Sequence, residues 1–171
     1  RVYNRVLSSA EMTRLYNIGR PVKLTTTSST GSLATGLVGH WSFDGSKTAW
    51  SDATTGTATD SSGQGNTGTF TNMSRATAPV RGVIGQAGNF DGVDDYVQLG
   101  NDVYSSVTIS SGTFAAWFKL STLPSSGATM AIFDAEGYLG KQITNSGGNV
   151  RVQGRTYTTT EFSTLGTTDL S

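Results

Sequence analysis

Apolar and polar positions alternate in short blocks along most of this chain. Val38-Gly39-His40-Trp41-Ser42-Phe43, closed by Asp44-Gly45, reads as a strand running into a turn. The alternation returns in Val93–Leu99 and in Val107-Thr108-Ile109. It is strongest in Phe114-Ala115-Ala116-Trp117-Phe118-Lys119-Leu120, which Pro124 ends. Met130–Phe133, Tyr138–Ile143 and Val150–Val152 continue the series. Short strands at this spacing, joined by Gly-rich turns and without a parallel βαβ pattern, predict an all-β antiparallel two-sheet sandwich. Its expected interior comprises Trp41, Phe43, Phe90, Val97, Phe114, Ala116 and Phe118.

The first nineteen residues follow a different period. Val2 and its neighbours suit the tail of a strand. Ser8, with Glu11 three residues on, has the spacing of a capping box, and Met12, Leu15 and Tyr16 recur at helical spacing. Gly19 and Pro21 stop this short helix, which is too short to stand alone and must pack on something. Residues 20–37 contain Thr25-Thr26-Thr27-Ser28-Ser29-Thr30-Gly31-Ser32, a low-complexity linker. The expected organisation is therefore 1–19 as a closing strand and helix, 20–37 as linker, and 38–171 as the main β domain.

Charge narrows the function classes. Lys+Arg and Asp+Glu number 12 each among 171 residues, so the formal net charge is zero. With no basic cluster, the chain lacks the cationic footprint of a nucleic-acid binder and the polybasic patch of a protein docked on anionic lipid. Cysteine is absent, which removes disulfides, cysteine–zinc sites and thiol nucleophiles together. No apolar run approaches the ~20 residues of a membrane helix. The Thr, Ser, Gly and Asn content suits an exported β-protein, extracellular or on the cell surface. The abrupt opening on Arg1-Val2-Tyr3 reads as a piece of a longer precursor.

Five blocks in order carry a family resemblance: His40-Trp41-Ser42-Phe43-Asp44; Asp60-Ser61-Ser62-Gly63-Gln64-Gly65-Asn66-Thr67-Gly68; Gly85-Gln86-Ala87-Gly88-Asn89-Phe90-Asp91-Gly92; Asp95-Tyr96-Val97; and Phe114-Ala115-Ala116-Trp117-Phe118. The series resembles the opening part of a laminin-G-like, concanavalin A-like lectin/glucanase jelly roll and covers most of 38–171. Arg1–Ser8 with Glu11 and Tyr16-Asn17 resembles the closing strand and helix of such a domain. The order implies the end of one repeat followed by the start of the next, as in a tandem-repeat surface protein. A sandwich without its closing strands exposes an unpaired edge, which another copy can fill.

Candidate chemistry follows. Asp134 and Glu136 share a strand face on paper, as the paired acids of a glycanase would, and the Asp91–Asp95 run offers further acids, but both lie beside glycines that mark turns. His40, the only histidine, sits next to Trp41 and reads as a packed residue. Calcium takes several hard oxygen ligands from loops. Asp60, Asn66, Asp91, Asp94 and Asp95 are its candidate ligands, with ordinary Asx turns as the alternative. Exposed aromatics stack on sugars, and Trp50, Tyr104, Tyr138 and Tyr157 are candidates. Trp50 interests us most, because it lies in a polar stretch without periodicity. Asn72-Met73-Ser74 is an N-glycosylation sequon. Val2, Tyr3, Met12, Leu15 and Tyr16 are the candidate assembly residues, seated on this chain's own sandwich or on a neighbour's. The reading is a non-catalytic extracellular module for glycan binding or adhesion. The alternatives are a structural subunit of a filament or surface assembly built by strand exchange between copies, and, behind both, a glycan hydrolase. The expected partners are glycans or further copies of the chain.

Overall fold

The computed structural model describes residues 1–18, 33–100, 103, 112–135, 139–146 and 149–156. The chain divides into two compact units, Arg1–Trp117 and Phe118–Ser171. Both are built of antiparallel strands, and one short helix is described. The Thr/Ser-rich stretch does not separate the units, since the residues on both sides of it belong to the first.

The first unit begins with β1 (Val2–Tyr3) and α1 (Ser9–Asn17). The capping box read from the sequence is present. Ser8 Oγ accepts from the Glu11 backbone N–H at 3.4 Å, and the Ser8 N–H donates back to Glu11 Oε2 at 2.9 Å. Arg5 adds a two-pronged ion pair to Glu11, Nη1 to Oε2 at 2.9 Å and Nη2 to Oε1 at 2.6 Å. The guanidinium, together with the Ser8 donors, holds the Glu11 carboxyl down at about 2. Strand and helix are thereby locked to each other.

β1 is the central strand of a three-stranded sheet, between β2 (Leu37–Gly39) and β9 (Thr113–Phe114). Val2 lies opposite Gly39 on one side and Phe114 on the other. A four-stranded sheet has the order β3 (Thr48–Trp50), β4 (Gly56–Ala58), β5 (Gly68–Thr71), β8 (Tyr96–Gln98). A small hairpin pairs β6 (Val80–Arg81) with β7 (Gln86–Ala87). In the second unit, β10 (Thr129–Ala135), β11 (Leu139–Ser146) and β12 (Asn149–Thr156) form a meander with a fully buried Ile143.

The core of the first unit has two clusters. Ala58, Phe70, Met73 and Ala78 form one, covered by Trp41, Phe43, Trp50 and Val97. Val2, Val38 and Val103 form the other, covered by Trp41, Leu99 and Phe114. Trp41 touches both, so the two sheets share one indole. That ring lies over β2 at Gly39, where any Cβ would run into it.

Several expectations need correction. The block 38–43 is a strand only to Gly39. Beyond it the chain turns away, and Phe43 takes a left-handed φ of 59°, which ends any extended run. The Phe114–Leu120 block is a strand only at its start. Alternation qualifies a segment for pairing but supplies no partner, and among the described residues β9 has only the short β1 beside it. Phe90, Ala116 and Phe118 are exposed, while Trp41, Phe43, Val97 and Phe114 are half-buried. On α1, Met12 and Tyr16 face solvent. Leu15 is half-buried, and Tyr16 meets Trp117 with ring centroids 5.3 Å apart.

Candidate functional site

Two acid-bearing turns were singled out from the sequence, and the structure treats them differently. In the first, the chain folds around the Asp60 carboxylate. Oδ1 accepts from the backbone N–H of His40 at 2.9 Å and of Ser62 at 2.8 Å. Oδ2 accepts from Ser62 Oγ at 2.6 Å and from the Asn66 N–H at 3.0 Å. Asn66 in turn donates its side-chain amide to the Val38 carbonyl at 2.8 Å and accepts the Trp41 indole N–H on its own carbonyl at 2.8 Å. Gly63 and Gly65 take φ of 89° and 79°, which let so short a loop close. Asp60 and Asn66 are both buried. Burial pushes the Asp60 carboxyl up, but the donors of Ser62, His40 and Asn66 together outweigh it and leave it below the usual carboxylate range. Each oxygen thus faces two donors of its own chain. This is a clamp joining β2, the Trp41 segment and the loop. Among the described residues, Asp60 does not join the acidic cluster below.

The second turn, Asp91–Asp95, leads into β8. Gly92 has φ 79°. The Val93 N–H donates to Asp91 Oδ1 at 2.7 Å, an Asx turn, and the Asp91 N–H donates to Asp95 Oδ2 at 2.8 Å. Asn72, just past β5 and itself left-handed at φ 61°, donates its side-chain amide to Asp94 Oδ2 at 2.9 Å. The turn is therefore tied to the end of the β5–β8 pair, where Thr71 lies opposite Tyr96. Carboxylate oxygens of Asp91, Asp94 and Asp95 lie within 4.8 Å of one another, with Asp91 and Asp94 exposed and Asp95 half-buried. Like charges this close repel by about 1 kcal/mol per pair even in a water-like medium, and a cation between them reverses the sign. The donor set suits a hard cation such as calcium.

The aromatic candidates also separate. Trp50, in β3, packs its ring on Phe70, centroids 5.1 Å apart, and walls the larger core cluster instead of standing free. Tyr104, Tyr138 and Tyr157 lie outside the described residues, as does Glu136. Asp134 is exposed in β10. The exposed aromatics near the acidic turn are Tyr96 (49 % exposed) and Phe90 (45 % exposed), which meets Phe43 edge-on. Sequence reasoning treated Tyr96 only as strand and Phe90 as core. The available signal was that Val97 points inward, which turns Tyr96 and Gln98 outward.

His40 holds Asp60 through its backbone N–H. Its imidazole is lowered to about 4, first by burial and then by the positive charge of Arg1, so it is neutral near pH 7. A small pocket lined by Phe43, Trp50, Phe70, Met73, Ala78 and Pro79 measures about 10 Å³, room for one water molecule. Val2 and Tyr3, from the assembly set, are buried in the central strand, whereas Met12 and Tyr16 are exposed. Comparison of the chain with protein-family models, with curated proteins and with solved structures finds no match.

Proposed function

We propose that this chain belongs to a non-catalytic extracellular or cell-surface protein. Its first unit is a laminin-G-like sandwich in which the two sheets sharing Trp41 are the layers of a jelly roll. Its binding site is the rim formed by Asp91, Asp94, Asp95, Asn72 and Tyr96. The observation that carries the reading is the convergence of three carboxylates on one accessible turn, held by Asx geometry and by the Asn72 amide. Calcium seated there neutralises the cluster and offers open coordination positions to sugar hydroxyls. Tyr96 supplies a stacking face beside it.

The test is a calcium titration followed by thermal unfolding, then a glycan array run with calcium and with chelator. At calcium 100 times its Kd the fold gains about 2.7 kcal/mol, and the gain vanishes in an Asp91→Asn/Asp94→Asn variant. Glycan retention that needs calcium and is lost in Tyr96→Ala supports the full reading. An unfolding curve indifferent to both calcium and chelator overturns the metal site. Glycan binding that survives Tyr96→Ala and chelator together overturns the rim.

A further inference from the structure

The central strand of the three-stranded sheet comes from the first residues of the chain. β1 contributes two of the most buried side chains, Val2 at 2 % and Tyr3 at 0 % exposed. The residues flanking β1 bond to residues far along the sequence. The Asn4 N–H donates to the Gly36 carbonyl at 3.0 Å, Arg5 Nε to the Thr35 carbonyl at 2.8 Å, and the Ala115 N–H to the Arg1 carbonyl at 2.9 Å. Thr113 Oγ donates to the Arg5 carbonyl at 2.9 Å and accepts from the Leu7 N–H at 3.2 Å. The segment is also self-contained, because the Ser8–Glu11 box and the Arg5–Glu11 pair fasten α1 to the strand. Residues 1–18 can therefore leave the groove as one body.

We propose that the β1–α1 segment is an exchangeable plug, and that the groove between β2 and β9 is an interaction surface whose partner is the same segment of a second copy of this chain. The contacts themselves specify that occupant. The groove asks for an apolar pair at positions 2 and 3, an arginine reaching Thr35, and backbone groups in register with Thr113, and another copy presents them all. Without the plug, β2 and β9 each lose their β1 ladder and Val38 and Val103 lose Val2. Among the described residues the Tyr3 hydroxyl has no hydrogen-bond partner in its buried place, a cost that is relieved whenever the plug is out and hydrated. Competition between own and foreign plug is set by effective concentration. Covalent linkage gives the chain's own plug a local concentration on the order of millimolar, so exchange grows as protein concentration approaches that value or as the link is shortened. Reciprocal exchange gives dimers, and one-way exchange gives open chains.

The chain has no cysteine, so introduced thiols give a clean readout. Full-length Val2→Cys chains and full-length Phe114→Cys chains are mixed, unfolded, refolded together at high concentration and oxidised. Residues 2 and 114 face each other in register, so exchange yields a disulfide-linked heterodimer of twice the 17.9 kDa chain mass. A Ser51→Cys chain replaces the Phe114→Cys chain as control. Heterodimer at least fivefold above that control is the expected result, and a yield equal to the control overturns the proposal. A second arm keeps every plug and groove residue native and deletes residues 20–31. This variant is expected to run as a dimer or larger in light scattering and to return to monomer on adding Tyr3→Asp. A deletion variant that stays monomeric, or that associates equally with Tyr3→Asp, overturns the proposal.

Discussion

The loop at Asp60–Asn66 and the turn at Asp91–Asp95 have nearly the same composition, with acids, glycines and small polar residues, and they do opposite things. In the first, one carboxylate is buried and met by four donors, so its charge holds the fold together. In the second, three carboxylates gather at the surface and share only a few donors, so their charge faces outward. The number of donors per carboxylate, not the number of acids, separates a clamp from an outward-facing cluster.

The largest expected effect breaks the clamp. Asp60→Ala strands the N–H groups of His40, Ser62 and Asn66 in a buried place and should cost about 3 kcal/mol, read by denaturant unfolding. A loss below about 1 kcal/mol would mean that water replaces the carboxylate and that the loop is no clamp.

A smaller effect is the acid response of the same region. His40 has its folded value lowered to about 4. The unfolded chain therefore takes up a proton there first, near 6.5, and stability falls as pH drops from about 6.5 towards 4. Asp60 is also held below its ordinary value, so its contribution is present above about 4 and is lost as pH falls further. Because His40 is only half-buried, the first step is modest. Unfolding curves between pH 7 and 5 should show a fall in the native chain that is smaller in His40→Gln, whereas below pH 5 the Glu11 carboxyl, held at about 2, adds its own loss in both.

The smallest effect sharpens the other side of the comparison. Asp94→Asn without calcium should change stability by no more than about 0.5 kcal/mol, because it removes repulsion while giving up only an exposed bond to Asn72. A destabilisation above about 2 kcal/mol would show that the turn is a second clamp.

What was legible in the sequence was what is decided locally. The Ser8–Glu11 box lies within one helical turn, and the strands of the β10–β12 meander pair with their sequence neighbours, so pattern and structure agree there. The block after Phe114 failed because pairing depends on a partner that alternation cannot reveal. Trp50 failed for a similar reason: its own stretch is polar, and it is Phe70, on a strand two places along the sheet, that draws it inward. Asp60 and Asp91 could not be told apart from neighbours in sequence, because the donors that bury the first come from residues 40 to 66.

The central place of β1 has a consequence for synthesis. Val2 and Tyr3 leave the ribosome well ahead of one of their two flanking strands, Thr113–Phe114. At about 5–20 residues per second, roughly 6–20 s pass before that partner exists. During this interval an apolar strand and a nine-residue helix, too short to persist alone, wait with one side open. The order of translation thus makes the most buried strand of the first unit the longest exposed.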